Sequence, residues 1–122
     1  MTAHHDRDIH AAICQAALHA LPLPVLIYDD TYVLYANKAA HDILGAEGST
    51  RVQGMPVADF ILPDMAEVND QRREYVIKQG LELKDLAIKI RGLDGQPSVF
   101  KVDIRPISFG GTTAAMVTLA CQ

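Results

Sequence analysis

The stretch VLIYDDTYVLYANKAAHDILG, residues 25–45, decides the fold of this chain. An apolar run leads into the polar turn at residues 29–31, and a second apolar run ends at Asn37. Asparagine often precedes a helix because its side-chain oxygen accepts a free N–H group of the first turn. Glycine often follows a helix, where φ is commonly positive. The stretch therefore predicts two strands joined by a tight turn, then a short helix that starts after Asn37 and ends at Gly45.

Two further helices are predicted on either side of this stretch. Residues 8–20 carry apolar side chains at spacings of three and four, the pattern of an amphipathic helix. Residues 64–79 predict a longer helix, because Asp64 and Glu67 form a pair typical of a capping box and Gly80 follows the run. The two helices therefore lie before and after the predicted strand pair.

Three more strands are predicted in the last third of the chain. Residues 86–90, 99–105 and 114–120 alternate apolar and polar side chains, and glycine-containing turns separate them. Strands joined by hairpins lie antiparallel, and alternation gives the sheet one apolar face and one wetter face. The helices must cover the apolar face. The predicted fold class is α+β, with a five-stranded antiparallel sheet and helices covering one face.

Composition and charge limit the classes of function. The chain has 122 residues, of which 49% are apolar and 21% charged, the balance of one soluble globular domain. A net charge of −4 argues against nucleic acid or an anionic membrane as the partner. No apolar stretch is long enough to span a bilayer. The two cysteines, Cys14 and Cys121, form no CxxC pair, which favours a reducing, cytoplasmic setting.

No catalytic or metal-binding arrangement is predicted. The chain has no GxSxG, P-loop or HExxH motif and no pair of acids in a catalytic pattern. A metal site needs three or four ligands brought together by the fold, and the histidines do not suggest such a set. His41, in the short helix, is interpreted as a surface residue. The expectation is a protein that is not an enzyme.

Four segments together resemble the PAS domain family, over about residues 20–121. YANKAAHDILG resembles the second strand and first core helix of that family, and GMPVADFILPD resembles its loop into the long helix. RGLDGQPSVFKVDIRPI resembles its turn between the third and fourth strands, and residues 112–121 stand where its last strand belongs. The resemblance implies a PAS domain at residues 22–122, preceded by an N-terminal cap helix at residues 1–21.

The resemblance implies a sensory or regulatory domain of a bacterial-type signal-transduction protein. Such modules usually belong to a longer parent protein with an output domain, and many bind a small molecule between sheet and helices. The cofactor is left unknown. The helix at 64–79 has no histidine to ligate haem, and the loop before it lacks the cysteine of photoreactive flavin domains. Both absences argue against those two cofactors.

The predicted ligand is a small apolar or weakly acidic molecule in an apolar pocket. The candidate pocket residues, chosen for shape and apolar contact, are Ile43, Leu44, Met65, Val68, Tyr75, Ile88, Phe100, Val102 and Val117. Tyr28 is interpreted as an ordinary strand aromatic. Arg72 and Arg73 are interpreted as a solvated helix face, although one that points inward would suit a carboxylate.

A homodimer is also expected, since the family often dimerises through its N-terminal helix. The candidate interface residues are Ile9, Ile13, Ala16, Ala17 and Ala20. An alternative is a ligand-free dimerisation or interaction module with a filled core. A small α+β enzyme of the cone-shaped isomerase type ranks last, because the inward positions are almost all apolar. The volume of the interior cavity distinguishes the first two alternatives.

Overall fold

Five antiparallel strands form one sheet in the structure, a computed structural model that describes residues 22–45 and 51–121. The strands are β1 (Val25–Tyr28), β2 (Val33–Ala36), β3 (Leu83–Arg91), β4 (Pro97–Phe109) and β5 (Thr112–Cys121). Two α-helices, α1 (Lys38–Ile43) and α2 (Ala66–Ile77), stand between β2 and β3, and 3₁₀ turns occupy Val57–Phe60 and Pro63–Met65. The predicted fold class is confirmed. The helix expected at residues 8–20 lies outside the described residues.

The first and last strands meet in the middle of the sheet. The strand order is β2-β1-β5-β4-β3, so β1 pairs with the early strand β2 on one side and with β5 on the other. Tyr28 lies opposite Ala115 in this central pairing. Because β1 pairs with β5, the fold depends on contacts between distant parts of the sequence. Such contacts form more slowly than those of local hairpins.

The short helix α1 begins as predicted. The Asn37 side chain accepts a hydrogen bond from the backbone N–H of Ala40 at 2.9 Å, the geometry of an N-cap. Gly45, which follows the C-cap residue Leu44, has a φ of 84°. A residue with a side chain is strained there, so glycine ends the helix as expected.

The start of α2 differs from the prediction. The helix was expected to begin at Asp64, but Asp64 lies in the 3₁₀ turn Pro63–Met65 and the α-helix begins at Ala66. Met65 occupies the capping position, and no side chain caps this end. The predicted capping box is therefore wrong, because Pro63 starts a tighter turn that carries Asp64 past the position from which it could cap.

The two faces of the sheet differ in polarity, but less cleanly than alternation predicts. Phe100, Val102 and Ile104 are buried on the face that α2 covers, while Lys101 between them and Arg105 after them are exposed. On the opposite face, however, one end of the sheet is apolar. The buried residues there are Ile27, Tyr35 and Ala114, with the partly buried Leu34, Ile107, Phe109 and Met116 packed against them. We call these seven residues the outer apolar cluster.

Among the described residues, no helix is both long enough and apolar enough to cross a lipid bilayer.

Candidate functional site

A cavity of about 50 Å³ lies in the core between the sheet, α1 and α2. A single water needs roughly 10–15 Å³ measured this way, so the space corresponds to roughly three to five water-sized positions. Its wall is formed by Leu26, Tyr28, Val33, Leu44, Val57, Phe60, Ile61, Asn69, Arg72, Ile88, Ile90, Ile104 and Val117. Ten of these thirteen are apolar, and the three polar residues are Tyr28, Asn69 and Arg72.

Backbone periodicity explains how these side chains reach one space. Leu26 and Tyr28 alternate along β1, so both point to the same face of the sheet. Asn69 and Arg72 are three residues apart on α2, which places them on one face of that helix. The helix lies over the sheet, so its polar pair closes a cavity whose floor is apolar.

Tyr28 brings a hydroxyl group into this apolar wall. The side chain is 9% exposed. Burial raises the pKa of Tyr28 to about 12, although the nearby positive charges of Arg73 and Arg72 act in the opposite direction. The phenol therefore stays protonated and neutral around pH 7. None of the hydrogen bonds found between the described residues involves its hydroxyl, which leaves the group available as a donor.

The two neighbouring arginines of α2 have different surroundings. Arg73 Nη2 donates to Asp70 Oδ1 at 2.8 Å, and the Arg73 side chain is only 18% exposed. Arg72 is half-buried and lines the cavity, but it makes no ion pair with any acidic residue in the described part of the chain. The interpretation of both as a solvated face is therefore wrong. Arg72 presents an unneutralised guanidinium to a mostly apolar space.

An open cleft of about 410 Å³ adjoins the cavity. Ile61 and Asn69 line both spaces, so these two side chains mark the boundary between them. The cleft carries two acidic and two basic residues from three parts of the chain, namely Asp30, Asp70, Arg73 and Arg91. A small molecule that entered from solvent would meet this charged cleft first and the apolar cavity behind Asn69 second.

Three of the nine candidate pocket residues lie in the cavity wall: Leu44, Ile88 and Val117. Phe100 and Val102 are buried in the same core without lining the cavity, and Ile43 packs against that core. Met65 is half-buried and lies outside the wall.

Val68 and Tyr75 do not face the cavity, and each is 37% exposed. The face of α2 that meets the sheet instead contains Asn69, Arg72 and the fully buried Val76. These positions follow the spacing of one helix face, rotated by about one residue from the face assumed in the sequence. Choosing apolar residues as the inward ones therefore missed Asn69 and Arg72. Tyr28 was missed because aromatic residues are common in strands, so its presence in β1 did not indicate a binding role.

Within residues 22–45 and 51–121, no three histidine, cysteine, aspartate or glutamate side chains are placed to hold a metal ion. The five candidate dimer residues of the first predicted helix lie outside the described residues.

A family model described as the PAS domain matches residues 15–79, more than half of the chain. No curated protein sequence matches. Among solved structures, the PAS domain of nitrogen regulation protein NR(II) from Vibrio parahaemolyticus is similar, with a TM-score of 0.66 and 21% identity over 88% of this chain and 96% of that one.

Two further similar structures come from longer chains. The Rhodobacter sphaeroides LOV protein has a TM-score of 0.70 and 13% identity, over 88% of this chain and 63% of that one. The E. coli DhaR(N)–DhaL complex has a TM-score of 0.69 and 18% identity, over 99% of this chain and 39% of that one. At these identities the likeness extends to the fold alone.

Proposed function

This chain belongs to the PAS domain family, and from that membership we propose that it is a sensory or regulatory module of a bacterial-type signal-transduction protein. In this proposal a small molecule binds in the cavity between the sheet and α2, and the change is passed to an output domain of a longer parent protein. The domain extends over residues 22–122, with residues 1–21 as its N-terminal cap, in a cytoplasmic protein.

The observation that carries the proposal is the unfilled cavity of about 50 Å³ with Arg72 in its wall. Protein cores are normally packed to near crystal density, and empty space beside a charged group reduces stability. A module that served only for dimerisation would gain stability from larger side chains at Val117 or Ile104. A bound molecule that fills the cavity and pairs with the Arg72 charge explains both features better.

Helix α2 is the element suited to respond to such a molecule. It supplies Asn69 and Arg72 to the cavity, yet Val76 is its only fully buried residue. A helix with few buried apolar contacts can shift at small free-energy cost. Occupancy of the cavity would therefore move α2 relative to the sheet more readily than it would move a strand.

The proposed role is binding and regulation rather than catalysis. The cavity wall contains no serine, cysteine, histidine or acidic residue, and so no nucleophile or general base of the common kinds. No cofactor is assigned to the domain. The absence of histidine from the α2 sequence argues against haem.

Dimerisation is the second candidate function, and the outer apolar cluster favours it. Its three buried and four partly buried residues form a second apolar cluster, on the face of the sheet that α2 does not cover. We propose that residues Ile9, Ile13, Ala16, Ala17 and Ala20 form the contact between two copies.

Titration of ¹⁵N-labelled protein with 1-butanol, butanamide and sodium butyrate tests small-molecule binding. The expected result is chemical-shift change at the amides of α2 and β5 with at least one of the three. The variant Val117→Leu, which fills the cavity, should lose the response, while Met116→Leu on the other face of β5 should retain it. A parent chain that responds to none of the three would refute small-molecule binding in this cavity.

A further inference from the structure

The polar groups of the cavity share one property, which is that they can donate hydrogen bonds. The Arg72 guanidinium donates only, the Asn69 amide has two N–H donors, and the protonated Tyr28 hydroxyl has one. No carboxylate is present in the wall to accept from them. A neutral or cationic ligand would leave the charge of Arg72 without a partner, whereas an anion would neutralise it.

The local ion pairs make Arg72 distinct from the other arginine of the helix. Arg73 is already bonded to Asp70 at 2.8 Å, so its charge is balanced within the protein. Arg72 has no such acid among the described residues, and it is half-buried, where water screens its charge incompletely. A planar guanidinium with parallel N–H groups matches the two oxygens of a carboxylate better than it matches a single acceptor.

The rest of the wall requires an apolar body on the same ligand. Apart from the three donors, the wall consists of aliphatic and aromatic side chains, including Ile88, Ile104 and Val117. A fully polar anion such as phosphate would lose its hydration against these side chains without gaining contacts. A hydrocarbon chain would gain free energy at roughly 0.8 kcal/mol for each CH₂ group buried.

We propose that the ligand of this cavity is a short-chain monocarboxylate, an inference that rests on the proposed small-molecule function. Its carboxylate is bound by Arg72 and the Tyr28 hydroxyl, with Asn69 beside them at the opening to the cleft. Its hydrocarbon chain lies against Ile104 and Val117. A volume of about 50 Å³, which corresponds to roughly three to five water-sized positions, limits the ligand to a short hydrocarbon chain.

The comparison of two isosteric probes tests the carboxylate. Sodium butyrate and butanamide have the same shape and differ in charge, and their affinities are measured by calorimetry or by NMR titration at pH 7. The parent chain should bind butyrate at least tenfold more tightly, since hydrogen bonds to charged groups exceed neutral ones. Lengthening the acid beyond about five carbons should reverse the gain, because a cavity of about 50 Å³ has little room for a longer chain.

Variants then assign the charge to Arg72. Arg72→Gln should bring the butyrate-to-butanamide ratio close to one, and Arg72→Lys should restore part of the preference. Arg105→Gln, an equal change of charge on the exposed face of β4, should leave the ratio unchanged. The far-ultraviolet circular dichroism and melting temperature of each variant show whether it is folded, so that loss of the ratio is read only from folded protein.

The outcomes separate this inference from the function on which it rests. If butanamide or 1-butanol binds and butyrate does not bind more tightly, the carboxylate is wrong while small-molecule binding stands. If no probe binds, both are wrong. If the preference for butyrate survives Arg72→Gln, another cation receives the carboxylate and the assignment to Arg72 is overturned.

Discussion

The Asn37 side chain joins the start of α1 to the first strand, because its Oδ1 accepts the backbone N–H of Val25 at 3.0 Å. The same oxygen caps the helix through Ala40, and the Asn37 Nδ2 donates to the Leu23 carbonyl at 2.7 Å. Asn37 is fully buried, the only polar residue of the described chain to be so. The Asn37 amide therefore pairs with backbone groups at the start of α1 and at the start of β1, twelve or more residues earlier in the chain.

Asn37→Ala is expected to lower the free energy of unfolding by roughly 2–4 kcal/mol, since it removes an N-cap and leaves buried backbone groups unpaired. Urea unfolding followed by circular dichroism measures the change. Lys38→Ala is the control: Lys38 pairs with Asp42 at 3.0 Å on an exposed surface, and such pairs contribute about 0.5 kcal/mol. Equal losses in the two variants would contradict the role given to Asn37.

His41 links α1 to the segment that follows it. Its Nε2 accepts the backbone N–H of Val52 at 3.3 Å, and its Nδ1 lies 2.9 Å from the Asn37 carbonyl oxygen. The network assigns the proton to Nδ1, which donates to that carbonyl. The histidine interpreted as a surface residue is therefore half-buried and structural.

His41→Phe is expected to lower stability by about 1–2 kcal/mol, because the amide of the fully buried Val52 loses its acceptor. Hydrogen exchange read by NMR should show the Val52 amide exchanging faster than in the parent chain. Asp42→Ala, beside it on the exposed side of the helix, should leave that amide protected. An unchanged Val52 exchange rate in His41→Phe would show that the 3.3 Å contact does not matter in solution.

Alkaline pH should destabilise the fold through Tyr28. Its pKa of about 12 in the folded chain exceeds the ordinary value of 10.0, so the unfolded chain loses this proton first. The stabilisation is complete below pH 10 and disappears as the pH rises through 12, by about 3 kcal/mol in all.

The measurement compares unfolding free energies of the parent and Tyr28→Phe between pH 8 and pH 12. The unfolding free energy of the parent, relative to that of Tyr28→Phe, should stay constant up to about pH 10 and fall above it. In the folded parent, the phenolate absorbance of one tyrosine should appear at a higher pH than that of the other tyrosines. A parallel fall in both proteins would place the alkaline sensitivity elsewhere.

Gly92 is needed for the contact between the end of α1 and the β3–β4 turn. The backbone N–H of Leu93 donates to the Leu44 carbonyl at 2.8 Å. A Cβ added at Gly92 would lie 2.9 Å from Asp94 Oδ1 and 3.3 Å from the Leu44 oxygen. Gly92→Ala should therefore lower stability by about 1–2 kcal/mol. The measurement compares the melting temperature of Gly92→Ala with that of Gln96→Ala, an exposed change in the same turn. Equal melting temperatures in the two variants would exclude a steric role for Gly92.

Ile13→Asp should abolish the proposed dimer and leave the domain folded, since it places an unpaired charge in an apolar contact. Sedimentation velocity at high micromolar concentration measures the oligomeric state, and circular dichroism measures the fold. Gln15→Asp is the matched control on the same predicted helix, outside the apolar stripe, and should remain a dimer. A monomeric parent chain would refute the dimer.

Local signals in the sequence determined the strands and the start of α1. Asn37 and Gly45 act within one turn of the helix they bound, so their roles do not depend on distant contacts. Alternation in β4 is equally local, because successive side chains of a strand must point to opposite faces. The alternation predicted over residues 99–105 therefore agrees with the burial of Phe100, Val102 and Ile104. The central pairing of β1 with β5 joins the two ends of the described chain, and no local signal in the sequence predicts it.

Only the tertiary structure decided which face of α2 points inward. Its sequence AEVNDQRREYVI is mostly polar, with apolar residues that form no single stripe, so helical periodicity alone does not choose a face. Packing against the sheet turned Asn69, Arg72 and Val76 inward and left Val68 and Tyr75 half-exposed. The polar residues of the cavity are thus set by contacts between distant elements, as is the apolar character of the outer face around Ile27. A rotation of α2 about its axis changes these contacts without changing any local backbone preference.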